Sequence, residues 1–159
     1  MTVVGEESPD APGGTALVSL SLPGQRGRAA VREGWRHAPA AFADLAGQLD
    51  EYFAGRRTGF DLALAARGSA FERRVWDALE TIPYGTTTTY GALAGRLGVA
   101  RAEVRELGAA IGRNPLLVVR PCHRVIGADG TLKGYAAGVA RKERLLVLEG
   151  ALPAQLPLV

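Results

Sequence analysis

Cysteine is nearly missing from this chain: among 159 residues there is one, Cys122. A single thiol excludes an internal disulfide. With only two histidines, His37 and His123, far apart in sequence, a zinc site built by the protein alone is also disfavoured. Long apolar runs are missing too. Nothing approaches the roughly 18 uninterrupted apolar residues of a membrane helix, and the acidic opening MTVVGEESPDAPGG carries no apolar leader core. The expectation is a cytoplasmic protein with no membrane partner, in which Cys122 either acts as a thiol or fills space.

What the chain does have is apolar residues, 47% of the total, enough to supply a core for one large domain or two small ones. The net charge is only +3, but it is unevenly spread. Residues 67–144 hold 13 of the 19 Lys and Arg against 7 of the 16 Asp and Glu, so this stretch is +6 and the remainder −3. The C-terminal part is the one suited to a polyanion, although arginine is also simply frequent here.

Residues 1–14, rich in Gly, Pro and acid, read as disordered. TALVSLSL over 15–22 alternates with period two and predicts a strand, with a second one at 27–32. AAFADLAGQLDEYFAG sets Phe42, Leu45, Leu49 and Phe53 at helical spacing, closed by Gly55, and FDLALAA over 60–66 alternates again. An α/β subdomain over 15–67 is expected, with a boundary near 67–69. Beyond it, Ser69 and Glu72 form a capping-box pattern for a helix over 70–80 carrying Phe71, Val75 and Leu79. Thr89 is a candidate N-cap for a helix from Tyr90 to Leu97, and a further helix is expected over 102–111. Two short helices around a tight turn suggest helix-turn-helix geometry. LLVV at 116–119 reads as a buried strand, and Asp129-Gly130 as a hairpin turn between Val125-Ile126 and Leu132, a wing. A last helix with Leu145, Leu146 and Leu148 inward ends at Gly150, giving a C-terminal domain over 68–151 and a surface tail over 152–159.

A cysteine is nucleophilic as thiolate, so a base or positive surroundings must act on it near neutral pH. His123, Arg124, Lys142 and Arg120 are the candidates. Neighbouring side chains of an extended segment point apart, so Cys122 and His123 require a turn or a bridging water to communicate. A histidine base needs an orienting carboxylate, and Glu149 is a possible partner. On composition alone a lone cysteine is more often a small buried hydrophobe, Tyr90 reads equally as core, and Arg105 as a solvated face residue.

The segments NPLLVVRPCHRVIGADGTLKGYAAGVARKERLLVLEG and FERRVWDALETIPYGTTTTYGALAGRLG resemble the O6-alkylguanine-DNA alkyltransferases, whose hallmark is Pro-Cys-His-Arg followed by Val or Ile. The likeness runs from Phe71 to Gly150, and weakly from Phe42 to Ala66. It implies an α+β protein, a small ribonuclease H-like N-terminal subdomain followed by a winged helix-turn-helix domain. It also implies irreversible transfer of an alkyl group from O6 of guanine to Cys122, once per molecule. In such proteins the histidine, here His123, deprotonates the cysteine through a water, and the glutamate matching Glu149 orients it. Asn114 matches the residue that holds the supporting turn, and Tyr90 the tyrosine that gives a proton to guanine N3. Arg105 matches the arginine that enters the stack as the nucleotide flips, with Arg101 the alternative, because a methyl group inside a duplex is out of reach of a thiol. Ala109 stands on the helix that enters the minor groove; Tyr135 and Ala136 match the guanine-pocket loop, and Lys142 a lysine near the cysteine. Arg124, the arginine of the motif, is counted with these substrate- and DNA-binding residues. Phosphate contacts by Arg101, Arg113 and Arg141 are expected from charge, not from the resemblance.

The resemblance implies no metal and no organic cofactor, and a monomer acting on alkylated double-stranded DNA. The chain departs from the pattern at Arg120, where relatives carry an aliphatic residue. That arginine either lowers the cysteine pKa or points to solvent. It departs again in the loop Tyr135-Ala136-Ala137-Gly138, which has less glycine. Three other readings compete. A sensor that binds alkylated DNA without repairing it would lack the cysteine. A plain winged regulator leaves Asn114, Cys122, His123 and Glu149 unexplained. A cysteine hydrolase needs base and nucleophile from separate elements, and the only other histidine is His37.

Overall fold

Strand β2 (Thr15–Ser21) is the strip on which the N-terminal part is built in the computed structural model, which describes residues 1–27 and 29–154. Its sequence alternates, yet Ala16, Leu17, Ser19, Leu20 and Ser21 are all buried, so both of its faces are covered; its two edges are also paired. On one side it pairs antiparallel with β1 (Thr2–Glu7), from Thr2 opposite Ser21 to Glu7 opposite Thr15, with an irregularity between Val4 and Gly5. On the other it makes single parallel bridges, Leu17 to Leu64 and Leu20 to Leu116.

Strand β1 overturns the expectation of disorder over 1–14. Of the residues that suggested it, Pro9, Asp10, Pro12, Gly13 and Gly14 fall in the connection, where Pro12–Gly14 form a 3-10 turn, while Gly5, Glu6 and Glu7 are carried within β1 behind the strand formers Thr2-Val3-Val4. Gly5 has a packing reason: a β-carbon there would lie 2.7 Å from a Thr15 methyl and 2.9 Å from the Phe42 ring. The strand expected at 27–32 is not formed by the described residues, with position 28 outside them, and that expected at 60–66 shrinks to the Leu64 bridge.

Helix α1 (Ala43–Phe53) buries Leu45, Gln48, Leu49 and Tyr52, whereas Phe53 is 45% exposed. The inward stripe therefore ends on Tyr52 rather than Phe53. Gln48 sits inside because both ends of its amide bind Asp61: Nε2 donates to the carbonyl at 2.9 Å, and Oε1 accepts from the N–H at 2.8 Å.

Helix α2 (Ala70–Glu80) starts on the expected capping box, Ser69 Oγ accepting from Glu72 N–H and Glu72 Oε2 from Ser69 N–H. Its Trp76 indole N–H donates to Ala110 O at 2.9 Å, which fixes α2 against α4 (Val104–Gly112). Helix α3 (Tyr90–Arg96) is capped by Thr89, whose Oγ1 accepts from Ala92 N–H. A 3-10 turn at Arg101–Glu103 precedes α4, so the second helix begins two residues later than expected. Two-residue strands β3 (Thr88–Thr89) and β4 (Val125–Ile126) pair in parallel, so the start of α3 lies beside the segment that carries the cysteine. The Asp129-Gly130 turn forms, with Gly127 N–H donating to Thr131 O and Asp129 Oδ1 accepting from both Thr131 N–H and Oγ1. It joins no antiparallel pair among the described residues, because β4 is matched to β3; the expected wing is a turn without a ladder. Helix α5 (Val139–Leu148) buries Leu145 and Leu146 and leaves Leu148 half-buried, with Gly150 at φ 73° turning the chain afterwards. Of the expected tail, 155–159 lie outside the described residues. Among the described residues no helix is long and apolar enough to cross a membrane.

Candidate active site

The cysteine is presented by a loop that folds on itself twice. Val118 has φ 71°, rare for a β-branched residue, and closes a three-residue turn in which Val119 N–H donates to Leu117 O at 2.9 Å. Pro121, at φ −82° and ψ 55°, centres a second such turn with Cys122 N–H donating to Arg120 O at 2.8 Å. Asn114, buried just after α4, holds the loop from inside. Its Oδ1 accepts from Leu116 N–H at 3.0 Å, and its Nδ2 donates to Arg120 O and to Cys122 Sγ, both at 3.1 Å. Burial pushes the Cys122 pKa up, while the Asn114 amide, the charge of Lys142 and, last, Arg120 pull it down. The resting group is a protonated thiol with its stabilisers already in place.

Cys122, His123 and Arg124 form one 3-10 turn, so adjacent side chains need not point apart as they would in a strand. His123 is 0% exposed, and its Nε2 lies 2.8 Å from Glu149 Oε1. Glu149 caps the C-terminus of α5 and is almost entirely occupied. Oε1 also accepts from Tyr52 OH at 2.6 Å and Arg124 Nη2 at 2.8 Å, and Oε2 accepts from Arg124 Nε at 2.8 Å. Burial alone would raise this carboxyl, but the hydrogen bonds from His123, Arg124 and Tyr52 outweigh it and hold its pKa at about 2. Burial lowers the His123 pKa despite Glu149, so the imidazole is neutral near pH 7. An ionised Glu149 accepts only, so Nε2 carries the proton and Nδ1 the free lone pair. Nδ1 is buried with no protein partner among the described residues.

Above the thiol is a cavity of about 330 Å³, the lower end of the small-molecule range. Helix α3 gives it Tyr90, α4 gives Gly108, Ile111 and Gly112, and the loop before the motif gives Leu117. Gly134, Tyr135 and Ala136 close the opposite side. Gly108 faces the Tyr90 ring, 3.9 Å from where its β-carbon would be. Tyr90 is half-buried, its hydroxyl donating to Lys133 O at 3.1 Å, and burial followed by Cys122 raises its pKa. The Tyr135 hydroxyl is buried without a protein partner among the described residues.

The loop of Tyr135 is held from behind by Lys142. This side chain is 0% exposed and donates to the carbonyls of Val125, Lys133 and Gly134 at 2.6, 3.1 and 3.3 Å; burial lowers its pKa to about 8. Lys142 and Arg124, both expected among the substrate- and DNA-binding residues, turn their charged ends to protein groups. Arg124 is buried on Glu149, donates from Nη1 to Ile82 O at 2.6 Å, and lies 5.7 Å from the Tyr84 ring, so all three of its nitrogens are engaged inside the protein. Lys142 is near the thiol as expected, but its ammonium is spent on backbone. Arg120 takes neither course foreseen for it in full: it is buried over the Trp76 ring at 5.3 Å and paired to Glu80 at 2.8 Å, and its effect on the thiol is the smallest named.

Arg101, in the turn before α4, and Arg105, on its first turn, are exposed, and Ala109 is half-buried on the same helix. Arg113 is half exposed and already paired, with Glu72 at 2.5 Å and Glu106 at 2.8 Å. Arg141 donates to Pro23 O and Ala137 O. Sequence reasoning missed Tyr52, whose bond to Glu149 spans 97 residues and leaves no local signal. It also missed Arg26, which reaches the cavity wall from the N-terminal part. Among the described residues no three His, Cys, Asp or Glu side chains gather as metal ligands.

Comparison with known proteins follows the same division. Residues 70–151 match the family described as 6-O-methylguanine DNA methyltransferase, DNA binding domain, and residues 14–66 its ribonuclease-like domain. The chain is 54% identical over 118 residues to a methylated-DNA–protein-cysteine methyltransferase of Mycolicibacterium paratuberculosis, covering 74% of this chain and 71% of that protein. It is 47% identical over 121 residues to one of Methanosarcina acetivorans, covering 76% and 77%. The crystal structure of Mycobacterium tuberculosis OGT in complex with DNA superposes with TM-score 0.82 at 42% identity, covering 94% of this chain and 85% of that one.

Proposed function

The chain belongs to the 6-O-methylguanine DNA methyltransferase family, and from that premise we propose that it repairs DNA by moving the alkyl group of O6-alkylguanine onto its own Cys122. It is a methylated-DNA–protein-cysteine methyltransferase that acts once per molecule. The observation that carries the residue assignment is the free Nδ1 of His123, buried in the same turn as the thiol, while its Nε2 is fixed by Glu149.

The steps follow from that arrangement. Alkylated duplex docks with α4 in the minor groove, and Arg105 takes the place in the stack of the nucleotide that flips into the cavity. The guanine lies between the Tyr90 side and the Tyr135-Ala136 loop. A water between Sγ and Nδ1 carries the thiol proton to His123, and Glu149 stabilises the imidazolium that results. Asn114 and Lys142 hold the thiolate as it forms. Sulfur attacks the alkyl carbon, the carbon–O6 bond breaks, and the Tyr90 hydroxyl supplies a proton at guanine N3. The thioether is stable, which is why there is no second turnover. The division of labour assigns 15–67 to bracing, through Tyr52, and 68–151 to DNA and chemistry; the protein works as a monomer.

The test is intact-protein mass after incubation with a duplex holding one O6-methylguanine, followed by peptide mapping. A gain of one CH2 on Cys122, stoichiometric and without turnover, is the expected result. Binding with unchanged mass would overturn it and leave a sensor.

A further inference from the structure

Arg26 is the only Arg, Lys, Asp or Glu among the described residues that line the cysteine cavity. It belongs to the turn after β2, which closes on itself through Gln25: its N–H donates to Leu22 O, and its Oε1 accepts from Leu22 N–H. Two contacts seat this turn on the loop opposite Cys122. Arg26 N–H donates to Ala136 O at 3.3 Å, and Arg141 Nη1 donates both to Pro23 O at 2.7 Å and to Ala137 O at 3.0 Å. The backbone of Arg26 is thereby tied to the pocket wall. Its guanidinium is exposed and has no hydrogen-bond or ion-pair partner among the described residues, unlike Arg120, Arg124, Arg141 and Lys142 around the same loops.

We infer that Arg26 makes this site favour guanines whose O6 substituent ends in an anion, carboxymethyl being the simplest, a step that rests on the alkyl-transfer reading above. Once the first carbon of the adduct meets Sγ, the rest of the substituent occupies the remaining cavity. Its walls there are apolar or aromatic, Ile111, Leu117 and Tyr135 among them, and would reject an unpaired carboxylate. Arg26 lines the same wall, and its free guanidinium is the group that would supply the missing partner, in a form suited to two parallel bonds. No new chemistry is required. The bond from Sγ to the CH2 forms as the CH2–O6 bond breaks, the electron pair stays with guanine, the thiol proton goes to His123, and the carboxylate is carried over unchanged.

The experiment measures single-turnover transfer from duplexes containing O6-carboxymethylguanine or its neutral near-isostere O6-carbamoylmethylguanine. It uses the wild type, Arg26→Gln and Arg26→Lys, with O6-methylguanine duplex on the wild type as control. The carboxymethyl to carbamoylmethyl rate ratio is expected to fall about fivefold in Arg26→Gln, the upper range for an exposed ion pair. Arg26→Lys should recover part of it, and added salt should lower the wild-type ratio. A ratio unchanged by Arg26→Gln overturns the inference, as does an equal loss on both adducts, which would make Arg26 a phosphate contact or a brace. If the wild type also leaves Cys122 unmodified by O6-methylguanine, the alkyl-transfer reading itself has failed. If it accepts the methyl group while the ratio ignores Arg26, only the present inference falls.

Discussion

Cys122 and Glu149 are buried groups whose neighbours oppose burial, and the size of each opposition sets what a substitution does. Cys122→Ala removes the acceptor and leaves the pocket, so it should bind alkylated duplex and show no mass gain; residual transfer to another residue would exclude the mechanism. Glu149 is harder to change cleanly, because its loss would strand Arg124 as an unpaired buried cation, at about 3–5 kcal/mol. Tyr52→Phe is the gentler probe. It takes one of the hydrogen bonds on Glu149 Oε1 and leaves His123 and Arg124 in place. The expected cost is about 1–3 kcal/mol, read as a lower denaturation midpoint at unchanged m-value. The Glu149 pKa should rise from about 2, visible by NMR titration of the carboxyl carbon. No loss of stability would mean that the Tyr52 bond is idle.

At the scale of elements, the parts that could be read in the sequence are those fixed by neighbouring residues. The capping box at Ser69 and Glu72 and the N-cap at Thr89 are each closed within three residues and formed as read, and the turn at Asp129 formed locally, without its hairpin. Ser69→Ala should accordingly destabilise by about 1 kcal/mol, measured by urea denaturation. What failed was decided by distant chain: β1 exists because β2 offers it an edge, and the expected wing lacks a ladder because β4 pairs with Thr88–Thr89. The same holds for the site. Cys122, His123 and Glu149 were legible as a thiol, a base and a carboxylate, and the resemblance added Asn114 and the roles, whereas Tyr52 and Arg26 come from elements that meet the site only after folding. Arg105 on α4 gives the sharpest test at this scale, since it is exposed and in contact with neither the thiol nor the cavity wall. Arg105→Ala should slow repair of duplex far more than reaction with free O6-benzylguanine, which needs no flipping. Equal losses would assign Arg105 another role.

For the whole molecule, the hydrogen bond between Tyr52 and Glu149 joins the N-terminal helix to the last one, and the two parts also share the Leu20 to Leu116 bridge. Acid should therefore unfold them together, and the direction follows from two groups. His123 is lowered in the folded state below its ordinary 6.5, so between the two values the unfolded chain binds the extra proton. That contribution is fully present above pH 6.5 and is lost as pH falls below it. Glu149 lies at about 2 against an ordinary 4.5. Its contribution is present above pH 4.5 and is lost as pH falls toward 2. Stability should thus begin to decline below about pH 6.5 and fall more steeply below 4.5. A His123→Asn variant should lack much of the first decline. The two tryptophans can report on the two parts separately, Trp35 being exposed in the N-terminal part and Trp76 buried between α2 and α4. With Trp35→Phe and Trp76→Phe variants, fluorescence transitions at matched pH should coincide with each other and with circular dichroism. Transitions that separate would mean that the Tyr52–Glu149 bond does not couple the parts, and that the relay behind Cys122 loses its brace before the site itself unfolds.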